Sequence, residues 1–343
     1  MDDIESIIGF AALYESMMKC KRNVIWKDSV AFFRHHAVEQ VIKLSDELKS
    51  GTYTPRTTKK FTVLSPKQRE VMGVAFRDRV YQRSLNDNAI YPQMTRRFIY
   101  DNAACQKKRG TDFARGRLHC FLDRFYRKHG LNGYVLQCDI KGYYPNMKHS
   151  VVESEFERHL TPEVFEMAKG VLLCQYEGDT GYYPGSQMIQ IAGISVLNDL
   201  DHFIKEQLGI KHYIRYMDDF ILIHESREYL EECRQRIEAE LKKLEFELHP
   251  KKTKIYEISK PIKFLGFYHQ LTDTGKIVIL IDPKNVKNER LKLRRMANKV
   301  KRGELTREKV DTCYQSWRNH ASRGNSYNLL KRMDAYYKSL WDF

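Results

Sequence analysis

Seven cysteines are scattered through the 343 residues, yet no two stand in a CxxC pair. The odd count and the missing pairs argue against a zinc cluster and against a secreted disulfide framework. No apolar run approaches the roughly 20 residues of a membrane span, and no signal peptide opens the sequence. Low-complexity segments and internal repeats are lacking too. These absences predict a protein of the reducing cytoplasm with no membrane partner. Acidic residues are in the minority, 44 Asp+Glu against 59 Lys+Arg, for a net charge of +15. So large an excess attracts polyanions, and nucleic acid is the commonest polyanion a soluble protein meets. The length allows two or three subdomains around a sizeable core.

Periodicity predicts helices over residues 2–50, where Leu and Ile recur every three or four positions and Gly51 supplies a stop. Residues 52–76 read as a hairpin broken at Ser65–Pro66, carrying Lys59, Lys60, Lys67 and Arg69. A helix over 77–94 is expected to end near Pro92. Residues 133–147, "GYVLQCDIKGYYPNM", read as a short apolar strand running into a turn. Helices are predicted over 150–173 and from Met188 to Leu208, with a loop, "YEGDTGYYPGSQ", between them. The hairpin 212–226 and a charged amphipathic helix over 227–246 follow. Residues 254–271 read as a strand pair, and from about 283 the chain turns helical and basic. Mixed rather than alternating elements predict an α+β fold.

Within "HYIRYMDDFILIHES", Asp218 and Asp219 stand side by side between apolar and aromatic runs. Adjacent like charges in such a setting are costly unless something neutralises them. Asp139, ending the strand "GYVLQCD", supplies a third carboxylate. Hard cations such as Mg²⁺ take oxygen ligands, often one or two carboxylates plus phosphate oxygens of a substrate. Two such ions, roughly 4 Å apart, can activate a 3′-hydroxyl and stabilise a leaving pyrophosphate.

The stretch "YMDD" resembles the YxDD box of reverse transcriptases, and "QCDIKGYYPNM" resembles their first catalytic motif. "FRDRVYQRSL" and "FIYDNAACQKKRGT" are similar to the fingers blocks of bacterial members related to group II introns. "PGSQMIQ", "LHPKKTKI" and "KFLGFYH" follow in the places of motif B, motif D and the primer grip. The resemblance runs from about 60 to 270. It implies a right-hand polymerase: fingers over 1–130, a palm over 131–270 with inserted fingers helices around 150–205, and a basic helical thumb over 271–343. It implies Asp139, Asp218 and Asp219 as catalytic residues, with Ile140 beside them in the set for two Mg²⁺ or Mn²⁺ ions. Lys67 and Arg69 match residues that grip the incoming triphosphate, and Tyr144 matches the aromatic ring that excludes a ribose 2′-hydroxyl. Gly185 and Gln190 would lie against the nascent base pair. Either Lys252 or Lys254 corresponds to the motif D lysine, and Phe264, Leu265 and Gly266 to the primer grip. Arg77, Arg79, Lys292, Arg294 and Arg295 are the expected nucleic-acid contacts. Nine Lys and Arg fall between 284 and 302, with Val286, Leu291, Leu293, Met296 and Val300 as the apolar side of that helix. The implied partners are a structured template RNA, the cDNA product and dNTPs.

Gln190 at the end of motif B, in place of Pro, resembles diversity-generating retroelement enzymes, whose pattern is GxxxSQ. These work with a basic accessory protein; Ile189 stands where that family has Ser. Relaxed motif B sequences also occur in phage-defence and abortive-infection enzymes. A second reverse transcriptase subunit is the alternative to an accessory protein as partner. Orphan intron-like and retron-like enzymes, and a non-catalytic RNA-binding protein with a maturase-like role, complete the alternatives. The intact carboxylate set favours catalysis, because a pure binder has no need of acids that repel phosphate.

Overall fold

The computed structural model describes residues 4–64, 68–173, 176–183 and 185–341. The chain divides into two compact units, one made of Met1–Gly110, Gln137–Leu222 and Glu231–Lys254, the other of Thr111–Leu136, Ile223–Leu230 and Ile255–Phe343.

The first unit opens with helices Glu5–Ile8, Phe10–Cys20, Asp28–His35 and Ala37–Lys49. Their apolar positions turn inward as predicted, with Leu13 and Met17 on the second and Val41 and Leu44 on the fourth buried. Gly51, at φ 70°, ends the run in the left-handed region that glycine enters without cost. Strands β1 (Lys59–Val63) and β2 (Arg69–Gly73) form the expected antiparallel hairpin. The helical run from Phe76 ends at Thr95, three residues past Pro92, but it is not one regular helix. It passes from Phe76–Leu85 through a π turn, Asn86–Ile90, into Tyr91–Thr95, with Pro92 in the first turn of the last segment. Proline is tolerated in a first turn, and the wider π turn before it relieves the ring's clash with the preceding carbonyls.

A four-stranded sheet is built from β3 (Tyr134–Asp139), β4 (His212–Tyr216), β5 (Asp219–His224) and β6 (Lys254–Glu257), in the order β4-β5-β3-β6. The interiors of β4 and β5 are buried at every position, so they read as continuous apolar runs rather than as alternating ones. Helix Gln187–Ser195 is nearly all buried, and the Ser186 hydroxyl caps it by accepting from the Met188 N–H at 3.2 Å. The predicted 188–208 helix is in fact interrupted, with a second helix at Asn198–His202 and a π turn at Phe203–Gln207.

In the second unit, helix Thr111–His129 accompanies an antiparallel sheet of β7 (Ile262–Phe264), β8 (Phe267–Leu271) and β9 (Ile277–Ile281), ordered β7-β8-β9. A single strand pair over 254–271 is therefore not what forms. Pro261 cannot donate to a ladder and separates β6, which joins the other sheet, from β7. Helices Pro283–Lys301, Arg307–Ala321 and Tyr327–Ser339 follow. Asp282 caps the first, accepting from the Lys284 N–H at 2.9 Å. Phe267, Ile281, Leu293, Val310, Tyr314, Trp317, Met333 and Tyr337 form the core, with Val286, Met296 and Val300 packed against it. Leu291 departs from the expected apolar side: it faces solvent, and Ala297 is buried instead.

Within this unit His119 Nε2 and His269 Nδ1 lie 2.8 Å apart, and His269 Nε2 lies 3.3 Å from the Phe264 carbonyl. A carbonyl only accepts, so His269 donates from Nε2 and accepts at Nδ1 from the His119 Nε2–H, which requires a neutral His269 ring. Burial, and then the neighbouring His119, push His269 down to about 4. Its folded pKa lies below the unfolded 6.5, so its contribution to stability is present above pH 6.5 and is lost as pH falls towards 4. We expect His269→Gln to lose less stability than the parent between pH 7 and 5, by about 1–2 kcal/mol, in denaturant titrations at each pH.

Candidate active site

Asp139 ends β3, Asp218 lies in the two-residue turn between β4 and β5, and Asp219 opens β5. A two-residue connection makes β4 and β5 an antiparallel hairpin, and Met217 takes the turn at φ 58°. The Ile140 N–H donates to the Asp218 carbonyl at 3.2 Å, which fastens the end of β3 beside that turn. The His249 N–H donates to the Asp139 carbonyl at 2.7 Å, and the Lys141 N–H to the Glu247 carbonyl at 2.9 Å. The segment that carries Lys252 is thereby held along the same strand end. Lys252 Nζ reaches both Asp139 oxygens, at 2.8 and 2.9 Å.

Burial is the main reason that the Asp218 and Asp219 carboxyls resist ionisation. The charge on Asp139 adds to both effects, while Lys252 opposes them and Arg69 also acts on Asp218. Asp219 is pushed up to about 7, against a long hydrogen bond of 3.4 Å from Gln137 Nε2. Among the described residues, no group of three or more His, Cys, Asp and Glu side chains could hold a metal ion by itself. The donor set nonetheless suits a hard cation that takes one or two carboxylates and completes its shell with substrate oxygens. The Asp218 and Asp219 oxygens are desolvated and repelled by the charge on Asp139.

The other expected site residues divide. Arg69 is exposed at the start of β2, and Lys67 lies outside the described residues. Tyr144 is half-buried in the turn after β3, against helix Gln187–Ser195. Gln190 is exposed on that helix, and Gly185 precedes it; a Cβ on Gly185 would meet the Met72 carbonyl oxygen at 2.3 Å, so only glycine fits. Lys252 contacts Asp139, whereas Lys254 is exposed at the start of β6. In the second unit, Leu265 and Gly266 form the tight β7–β8 turn at φ 48° and 87°, after a buried Phe264. Lys292 pairs with Glu289 at 3.4 Å, and Arg294 and Arg295 are exposed.

Arg77 and Arg79 both make contacts within the first unit. Arg77 is paired with Glu47, donates to the Thr54 carbonyl and covers the Tyr53 ring, while Arg79 donates to the Cys20 carbonyl. Both guanidiniums join helices and connecting chain inside the first unit, where the sequence pattern alone reads as a basic surface.

Sequence reasoning missed Arg215. Its guanidinium and the Asp201 carboxylate are both fully buried and meet in a bidentate pair, with both N–O distances 2.6 Å. Two further donors go to the Ile194 carbonyl at 2.9 Å and the Met217 carbonyl at 3.0 Å, and Tyr213 donates to Asp201 at 2.6 Å. The signal was an arginine in the middle of an apolar strand, which has to be paired.

Residues 66–269 match the protein family described as Reverse transcriptase (RNA-dependent DNA polymerase). The chain belongs to the reverse transcriptase family. Among solved structures, it is similar to telomerase from Candida albicans in complex with a TWJ fragment of telomeric RNA. That likeness has a TM-score of 0.50 and 12% identity, and covers 72% of this chain and 50% of the other. It is also similar to apo telomerase from Candida tropicalis, at TM-score 0.47 and 12% identity, over 71% of this chain and 53% of that one. This reverse transcriptase chain thus spans about half the length of the telomerase chains. No curated protein matches by sequence. Family and likeness agree with the α+β polymerase fold of helices and antiparallel sheets read from the sequence. No described helix is long and apolar enough to cross a membrane.

Arg215→Met should cost about 3–5 kcal/mol of stability, because it leaves the Asp201 carboxylate buried without a partner. Adding Asp201→Leu should recover most of that loss in denaturant titrations. The double variant should still lack activity, since nothing then holds the Met217 carbonyl at the turn that presents Asp218.

Proposed function

We propose that the protein is an RNA-directed DNA polymerase, and that its chemistry takes place where Asp139 and Asp218 converge. The observation that carries this reading is the backbone bond from Ile140 to the Asp218 carbonyl, which joins a strand-ending carboxylate to the YMDD turn. Asp139 and Asp218, with Asp219 adjacent and the backbone of Ile140, would hold two Mg²⁺ or Mn²⁺ ions. When bound, such ions supply Lewis acidity for the attacking 3′-hydroxyl and the departing pyrophosphate.

The chain's own residues do the rest. Arg69 offers the triphosphate a planar fork, with Lys67 assigned to the same task. Lys252 is the better of the two motif D candidates: it already reaches the carboxylates, and it can release a proton to the leaving group. Tyr144 lies under the incoming sugar, Gly185 and Gln190 against the nascent base pair, and Phe264, Leu265 and Gly266 against the primer end. Lys292, Arg294 and Arg295 serve the template–primer backbone. In this reading residues 1–130 are fingers, 131–270 palm and 271–343 thumb, and the partners are a template RNA, its cDNA and dNTPs.

The motif B stretch Gly185–Gln190 supports a role in a diversity-generating retroelement, with a basic accessory protein as further partner. Ile189 supports the alternative, a phage-defence enzyme. Misincorporation concentrated opposite template adenines would mark the first, and uniform errors the second.

Primer extension on an RNA template with Mg²⁺ or Mn²⁺ tests the main reading. Asp218→Ala should lower extension by about a thousandfold and leave RNA binding nearly intact, because phosphate contacts come from Lys and Arg elsewhere. Parent-like extension by that variant would remove the metal assignment.

Tyr144→Val should keep deoxynucleotide addition and raise ribonucleotide addition by about tenfold, the factor that follows from relieving a clash of about 1.4 kcal/mol. The comparison is of extension efficiencies with each nucleotide type. A ratio equal to the parent's would make Tyr144 a packing residue only.

A further inference from the structure

We infer that Gly193 is a positioning residue for the Tyr144 ring and through it sets how strictly the sugar is discriminated. This rests on the reading of Tyr144 as the ring beneath the incoming sugar. Gly193 sits inside helix Gln187–Ser195, is buried, and does not carry the positive φ at which glycine is required. Glycine in a helix interior costs about 1 kcal/mol relative to alanine, so backbone conformation gives no reason for it.

Side-chain space does. A Cβ on Gly193 would stand 2.8 Å from the Tyr144 hydroxyl oxygen, 3.1 Å from Cζ and 3.2 Å from Cε1. Two ring atoms and the hydroxyl oxygen within that range mean that the Tyr144 side chain rests on the bare Cα. The hydroxyl alone could swing away; Cζ and Cε1 move only if the whole ring tilts. Tyr143, whose ring meets that of Tyr144 edge-on at 5.6 Å, donates its hydroxyl to the Gly193 carbonyl at 2.5 Å. The two tyrosines therefore take their positions from one residue, the first by a hydrogen bond and the second by contact.

The helix is itself fixed one residue further on, where the Ile194 carbonyl accepts from Arg215. It cannot drift back to make room for a methyl group, so the displacement falls on Tyr144. Among the described residues the Tyr144 hydroxyl has no hydrogen-bond partner, which leaves packing to determine where the ring lies. A shift of a few tenths of an ångström carries the ring towards the space a deoxyribose occupies.

The test is primer extension on an RNA template with Mg²⁺, measuring kcat and KM for deoxy- and ribonucleotides. It compares the parent, Gly193→Ala, Tyr144→Phe, Tyr144→Val and both double variants. Gly193→Ala should raise KM for deoxynucleotides about tenfold with a smaller change in kcat. Tyr144→Phe removes the closest atom and should recover part of that loss. In the Tyr144→Val background Gly193→Ala should have no effect, because no ring remains to be pushed.

A parent-like Gly193→Ala, or a defect that persists undiminished beside Tyr144→Val, overturns the inference. If Tyr144→Val itself leaves the sugar ratio unchanged, it is the reading of Tyr144 that fails, and the inference falls with it. Should Gly193→Ala alone not fold, recovery of folding by Tyr144→Val supports the contact, and failure to recover overturns it.

Discussion

The buried pair of Arg215 and Asp201 is the constraint on which the catalytic region of the first unit depends. Taking both charges out of water costs several kcal/mol per ion before their attraction and hydrogen bonds repay it, so such a pair is weak evidence of stability. Its value here is geometric. One guanidinium fixes the Ile194 carbonyl on helix Gln187–Ser195, the Met217 carbonyl at the YMDD turn and the Asp201 carboxylate after that helix. The backbone of Arg215 also exchanges hydrogen bonds with Asp101 and Ala103. Three neighbouring elements between Ile194 and Met217, and the distant segment 101–103, thus share one reference point. A lysine could not replace it, since a single ammonium lacks the planar set of donors that reaches three acceptors at once.

That common reference explains why sub-ångström contacts matter nearby. The close approach of Gly193 to Tyr144, and of Gly185 to the Met72 carbonyl, has consequences only if helix and strand cannot slide apart. Met217 adds local strain, because a side chain in the left-handed region costs about 1 kcal/mol and persists only where the surroundings over-determine it. The bond from Arg215 to its carbonyl and the paired strands on both sides are those surroundings.

What was legible in the sequence follows from the same physics. Asp139, Asp218 and Asp219 stood out because carboxylates are rare in apolar strands, and chain order then matched them to a family. The hairpin at β1–β2, the Gly51 stop and the basic helix after Asp282 came from local chemistry that does not depend on the rest of the fold. Arg215 was not legible as a clamp: its partner is 14 positions upstream, on another element, and its neighbours pointed to the carboxylates instead. That Arg77 faces Glu47 and Arg79 the Cys20 carbonyl was not legible, because those partners stand on other elements. The split of β6 from β7 depended on which sheet each strand joins, a long-range choice that period-2 patterning does not encode.

The chain's charge of +15 and its cluster of acids are two parts of one electrostatic problem. A basic surface gathers polyanions, but the reacting phosphate has to approach three carboxylates that repel it. Burial, and then the charge on Asp139, raises the Asp218 and Asp219 carboxyls despite Lys252 beside both and Arg69 beside Asp218. In the proposed reading the remaining positive charge would arrive with the substrate, which would couple catalysis to bound cations rather than to the fold alone. For the role proposed for it, Lys252 suits the site better than an arginine would. Its ammonium is a compact charge on a flexible stem and pairs with both Asp139 oxygens. In that role it would swing to a phosphate oxygen and give up a proton there, which a guanidinium cannot do at any pH a protein survives.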